Sequence, residues 1–576
     1  MSNTTRPGLP LLNRMRRLFH RTFARGPSMF RRMGIAMSDV PLEHRGLVIV
    51  QIDGLSYHRM QKALAKRRLP YLRKLIRRGT LKVHPYLSQI PTSTPAFQGG
   101  MFYGNNDNIP GFNFYDKREQ RLYRMGESEC AFAVQSQFTN PGLLRHGSVF
   151  SCVYTGDAEA SLFIFSSLLA PRRWKFALRV WDLAMLTFLH IETVVKIIAL
   201  AILEFFVAIW DFLRRIRRTG RVRKELETIA VRIGLSLISR ELITLGAVID
   251  IYRQVPIIYI NFLSYDEHAH QRGPNSAFAT WGLRAIDRSI KRIHLATRYS
   301  ARKYDLYVMS DHGQSACRPF EQVAGEPLAS FLEKQLAGLA VDNHPRLEER
   351  AGNVRLSADA TNRIAQTAPW FLRDALRQYS DSMRGHLPQL NPEAGPPTAS
   401  EVTVVSTGPI AYAYWTRHAH KLNLEEIELM HPGIVERLVA HPCIGCISAK
   451  MSNGDVFVQS NAGFTVLSRS GVKSSQGSMP FDHSIDRQHV VDGIWRVTLM
   501  QRSGDLCLWG GNTPKGDISF TFEFGCHSGW TDEEIRAFIM SPPEADIDLA
   551  TIRQHPQFYS YFRKRYCGFN ACSTSD

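Results

Sequence analysis

The chain has 576 residues, 44% hydrophobic and 21% charged, a balance that excludes a disordered or collagen-like protein and leaves either one large α/β domain with insertions or several domains. Its formal charge of +19 is polarised, with 19 Arg and Lys against 3 acids in residues 1–85, which points to an anionic partner. Aromatic residues are not interleaved with these basic runs as stacking on bases requires, so an anionic membrane surface is favoured over nucleic acid.

Nine cysteines, scattered and odd in number, do not read as a disulfide framework and suggest a reducing, cytoplasmic setting. Cys443 and Cys446 form a CxxC with no second pair and read as buried strand residues. From Leu11 to Ile35 arginines interrupt every apolar run, so no secretory signal peptide is expected and residues 1–44 read as a basic N-terminal arm.

Gly46 to Asp53, GLVIVQID, is a continuous apolar run ending in a carboxylate, the pattern of a parallel strand buried on both faces. Residues 58–78 read as one basic helix stopped by Gly79, with Leu72 and Leu75 facing the core. The stretch 91–100, PTSTPAFQGG, is a hydroxyl-rich turn opening into a small-residue helix. Such a turn is commonly a simple cap, but a hydroxyl there also sits where unpaired N–H groups and the helix dipole favour an anion.

After this first α/β part (45–158), residues 159–255 read as a helical insertion. Its apolar segments, Trp174 to Ile191 and Thr193 to Leu213, are broken by Arg179, Asp182, Glu192, Lys196, Glu204 and Asp211, so no run reaches the ~20 uncharged residues a bilayer requires. At ~100° per residue, Glu192, Lys196, Glu204, Asp211 and Arg214 fall within an arc of about 120°, making an amphipathic helix closed by the basic run 214–224. It is expected to pack on the domain or lie in a membrane interface. The protein is thus expected to be peripheral to or inserted in a membrane.

Pro256 to Phe262 is a second buried strand, expected to carry Asp266 and His270 in the loop after it. Asp305 to Ser310 is a third, ending in Asp311-His312-Gly313. With 256–339 as the second α/β part, 340–400 is a polar, Pro-rich excursion, and 401–576 is the third part, where EVTVVSTG (401–408) and AYAYW (411–415) resume the sheet pattern before an aromatic, basic tail. Ligands in open α/β sheets bind at the C-terminal strand ends, so Asp53, Asp266 with His270, Asp311 with His312, and His527 from a late loop are candidate metal ligands around the Thr94 hydroxyl.

In their order along the chain, VQIDG, LPYLRKLIRRG, PTSTPAFQGG, YDEHAHQRGP, MSDHG and GCHSGW resemble the type I phosphodiesterase/nucleotide pyrophosphatase branch of the alkaline phosphatase superfamily. The resemblance implies a three-layer α/β/α sandwich with a largely parallel central sheet, here with a helical insertion. It implies two divalent metal ions, zinc with manganese as the alternative, one held by Asp266, His270 and His527 and the other by Asp53, Asp311, His312 and the Thr94 oxygen. Thr94 would be the nucleophile, passing through a phosphothreonine. If Pro95 is the anchor of the motif, Ser93 takes that place. Asn113, in DNIPGFNFYD, matches a position that often binds a phosphate oxygen, and Glu267 and His268 lie close enough to support the ligands. The sulfatase motif C/S-x-P-x-R is absent from the nucleophile turn.

The function implied is two-metal phosphoryl transfer that hydrolyses a phosphodiester or pyrophosphate bond of a phosphorylated substrate near a membrane surface. A phosphotransferase moving a lipid headgroup phosphate to another acceptor is the alternative within this chemistry. A catalytically dead membrane-binding scaffold is the alternative outside it, disfavoured because it has no need of seven ligand residues.

Overall fold

The computed structural model describes residues 37–162, 239–344 and 401–568, short of 514, 515, 546 and 550, and a few positions between 373 and 381. Most of the basic arm, the helical insertion and the polar excursion lies outside these residues. Among the described residues no helix is long and apolar enough to cross a membrane.

The three apolar runs become the three adjacent strands at the middle of a seven-stranded sheet. Gly46–Ile52 lies between Ile257–Phe262 and Tyr304–Met309, parallel to both. Ser148–Phe150 and Ala160–Leu162 extend the parallel set beyond Ile257–Phe262. On the other side Arg536–Ser541 runs antiparallel to Tyr304–Met309 and then pairs with Lys82–Leu87. The architecture is therefore α/β with a largely parallel central sheet.

Both faces of the central strands are buried, which is why these strands read as unbroken apolar runs and not as alternating ones. Ile49, Tyr259 and Tyr307 share one register and hence one face. The helices Thr94–Tyr103 and Pro556–Tyr566 set Phe102 edge-on to Tyr259 and Phe562 edge-on to Tyr307. Pro70–Arg77, Arg240–Tyr252 and the long Ala277–Tyr299 helix pack together, with Asp287 accepting hydrogen bonds from the Tyr71 and Leu72 amides at the start of the first of them.

Two expectations change in the structure. The helix read over 58–78 is two, Tyr57–Ala65 and Pro70–Arg77, because Pro70 has no N–H to continue the ladder and keeps Leu69 out of helical conformation. The strands expected near 401–415 form as Val402–Thr407 and Ile410–Trp415, but in a second, eight-stranded sheet that also takes in Ile444–Lys450, Val456–Ser460 and Leu506–Gly510. Cys443 and Cys446 are buried at its Ile444–Lys450 strand, and the eight described cysteines are all buried and free. The second sheet braces the site from outside. Tyr412 Oη donates to Pro110 O at 2.7 Å and Lys117 forms a buried ion pair with Asp505 at 2.8 Å, fixing both ends of the segment that carries Phe112 and the short strand Asn113–Asp116.

Candidate active site

Three parallel strands deliver their ends to one place. Asp53 follows Gly46–Ile52 directly, and Asp311 and His312 follow Tyr304–Met309. Asp266 and His270 lie on the helix Ser264–Arg272, not in the expected loop, and as an i,i+4 pair they meet on one helix face, His270 Nε2 being 3.0 Å from Asp266 Oδ2. Gly54 explains the DG of VQIDG twice over: its φ is +68°, and a β-carbon there would collide with Asp266 Oδ1. Its N–H donates to Asp311 Oδ1 at 3.3 Å.

Thr94 is the first residue of the Thr94–Tyr103 helix. Its Oγ1 lies 3.3 Å from Asp53 Oδ1 and 3.3 Å from His312 Nε2. Ser93 caps the same helix, but its Oγ is buried without a hydrogen-bond partner.

The three histidines share one arrangement. His270 Nδ1 is 2.7 Å from Gly525 O, His312 Nδ1 is 3.0 Å from Gly313 O, and His527 Nδ1 is 2.7 Å from Thr92 O. A carbonyl oxygen only accepts, so each Nδ1 carries the proton and each Nε2 presents a lone pair. These lone pairs face carboxylates: His312 Nε2 stands 3.2 Å from Asp311 Oδ2, and His527 Nε2 stands 3.9 Å from Asp266 Oδ1. Lone pairs converging on anionic oxygens repel unless a cation lies among them, so this donor set fits a metal centre.

Around Thr94, two groups have ligand atoms within 4.8 Å of one another: Asp53, Asp311 and His312, and Asp266, His312 and His527. His312 thus faces both groups, whereas the sequence motifs assigned it to the first alone. His270 joins the second through Asp266, and the His312 and His527 rings stack at 4.0 Å.

Electrostatics tell the same story. Burial, with Asp311 and Asp266 nearby, pushes the Asp53 carboxyl well above the usual carboxylate range. Burial, then Asp266, pushes Asp311 up to about 7, and its Oδ2 has no hydrogen-bond partner. Burial works against ionisation of Asp266 too, but positive charge on the His270, His527 and His312 rings, present when they are protonated with no cation bound, outweighs it and holds that carboxyl below the ordinary range. Burial lowers His312. Three carboxylates crowded out of water are a site built for positive charge.

Two buried amides at the site were not read from the sequence. Asn261 donates from Nδ2 to Asp53 Oδ2 at 2.7 Å, and Gln314 donates to Asp266 Oδ1 while its Nε2 lies 3.2 Å from His270 Nε2. The signal for Asn261 was a lone polar residue near the end of an apolar strand. Of the other expected residues, Glu267 lines the cavity beside Asp53 and Thr94 with Phe112, Val153 and Leu263. His268 instead packs against Gly282 of the neighbouring helix, on the opposite side of its own helix from Asp266 and His270. Asn113 is buried one residue beyond Phe112, with its Oδ1 unpaired.

No curated protein matches the chain. Among solved structures, phosphonoacetate hydrolase from Sinorhizobium meliloti 1021, in complex with phosphonoformate, is similar at 12% identity and a TM-score of 0.43, with 91% of this chain and 97% of that chain covered. The sequence profile described as type I phosphodiesterase / nucleotide pyrophosphatase matches residues 47–401, more than half of the chain. The chain therefore belongs to the type I phosphodiesterase/nucleotide pyrophosphatase family.

Proposed function

We propose that the protein is a two-metal hydrolase of phosphodiester or pyrophosphate bonds with Thr94 as its nucleophile. The observation that carries this reading is the position of Thr94 Oγ1, at a helix N-terminus and 3.3 Å from both Asp53 Oδ1 and His312 Nε2. Asp53, Asp311 and His312 with Thr94 would hold one cation, and Asp266, His270 and His527 the other, with N and O donors that favour zinc and tolerate manganese. Such cations, when bound, neutralise phosphoryl oxygens and ease deprotonation of a neighbouring hydroxyl.

Thr94 Oγ1 attacks phosphorus, the bond to the leaving oxygen breaks, and the phosphoryl group rests on Thr94 until water takes it up. Asp53 Oδ1 is the oxygen within reach of the departing hydroxyl proton, since the His312 Nε2 lone pair is committed to the cation. Free N–H groups at the start of the Thr94–Tyr103 helix favour the anionic phosphoryl group. Phe112, Val153 and Leu263 wall the cavity, and Asn113, buried next to Phe112, is assigned a phosphate oxygen.

The sequence of 159–224 supports placing this chemistry at an anionic membrane surface. Asp53 and Thr94 precede that segment and Asp266, Asp311 and His527 follow it, yet all meet in one site, so the chain leaves and returns on the same side. Hydrolysis of a chromogenic phosphodiester, compared with the matching monoester, tests the activity. The diester should turn over faster, and a chelator should abolish turnover. Undiminished activity after chelation would contradict the reading.

A further inference from the structure

Behind His270, on the side away from Asp266, stands a carboxylate outside every motif described above. The strands Ser315–Pro319 and Gly525–Cys526 pair antiparallel. The turn leading into the second is tied to itself, Glu523 N donating to Thr521 O at 2.9 Å and Ser519 Oγ donating to Glu523 Oε1 at 2.8 Å. Glu523 is 5% exposed, and its Oε2 lies 2.9 Å from His270 Nδ1, the nitrogen that also meets Gly525 O.

We propose that Glu523 is the positioning residue of His270, a buried carboxylate that with the Gly525 carbonyl holds the ring by its Nδ1–H and presents Nε2 to the cation at Asp266. This rests on the reading of Asp266, His270 and His527 as metal ligands. A carboxylate at the far nitrogen of a ligating imidazole fixes tautomer and ring orientation and strengthens the lone pair, and losing it costs about 10–100-fold in metal affinity. The Ser519 hydrogen bond locks the carboxylate in turn. Glu523 also lies within 4.8 Å of the buried Cys317 and Cys526 thiols, so the rival assignment is a separate thiolate site for a third cation.

The test is zinc titration of the full-length protein, stripped with a chelator, against a chromophoric competitor, together with the visible spectrum of the cobalt(II)-loaded protein. Two zinc equivalents in the wild type establish the underlying metal reading, and none removes it. Given two, Glu523→Ala should weaken one site about 10–100-fold and leave the other unchanged. Glu523→Gln, isosteric and still able to accept from Nδ1–H, should weaken the same site by a smaller factor and alter the cobalt spectrum, and it reads alone if Glu523→Ala does not fold. Wild-type zinc affinity with an unchanged cobalt spectrum in Glu523→Gln overturns the proposal while leaving the metal reading intact. Equal weakening of both sites also overturns it, as does a third zinc equivalent lost in a Cys317→Ser/Cys526→Ser variant.

Discussion

Thr94 Oγ1 stands 3.3 Å from Asp53 Oδ1, where the N-terminus of one helix meets the C-terminal end of the first core strand. The positive end of the helix and the negative end of the strand loop frame a hydroxyl that neither element would activate alone. Thr94→Ala should therefore reduce turnover at least about 1,000-fold while zinc binding persists, because most donor atoms remain. Ser93→Ala should stay near wild type, since its hydroxyl has no partner in the site. Steady-state rates with metal analysis on the same samples check both.

His312 faces both carboxylate groups, and this distinguishes it from His270. Its one Nε2 lone pair serves the cation of Asp53, Asp311 and Thr94, so His312→Ala should lose that ion and loosen the neighbouring one, whose ligand His527 stacks on the His312 ring, whereas His270→Ala should lose only the ion of Asp266 and His527. Zinc stoichiometry by elemental analysis after dialysis checks both, and two equivalents retained by His312→Ala would refute its place as a ligand.

Asn261 holds Asp53 in place through a 2.7 Å hydrogen bond inside a strand that is otherwise apolar. Asn261→Ala frees that carboxylate to turn, with an expected loss of about 10–100-fold in metal affinity or kcat. A melting temperature close to wild type would show that the effect is local.

His555 lies outside the proposed ligand set and provides a further pH dependence, with the Arg496 charge and the His312 ring among the groups that act on it. Its Nε2 accepts the Gln89 N–H at 3.0 Å, and burial holds its pKa well below 6.5. Between that folded value and 6.5 the unfolded chain takes up a proton that the folded chain refuses, so stability is full above 6.5 and falls as the pH drops below it. Melting temperatures measured on either side of this pH should show a larger loss for the wild type than for His555→Gln.

The central strands were legible because strands buried on both faces leave unbroken apolar runs, and because Asp53 and Asp311 mark their ends. The helix Ser264–Arg272 was not, since its sequence SYDEHAHQR has no apolar stripe and is held by the site it serves. Leu69-Pro70 carried the signal for the helix break, but the periodicity of Leu72 and Leu75 ran across it. Val402–Thr407 and Ile410–Trp415 announced themselves as strands, yet alternation within a strand says nothing about which sheet it joins. Gln314 and Glu523 reach the site only through the fold, so no local spacing reveals them. Readings of 163–238 and 345–371 fall outside the described residues.

The most direct test of the account is rapid-quench mass spectrometry of the zinc-loaded enzyme during turnover of a phosphodiester. A phosphoryl adduct on Thr94 that forms and decays at the rate of turnover is the expected result. An adduct on Ser93, or full turnover with no adduct on the 91–100 peptide, would contradict it.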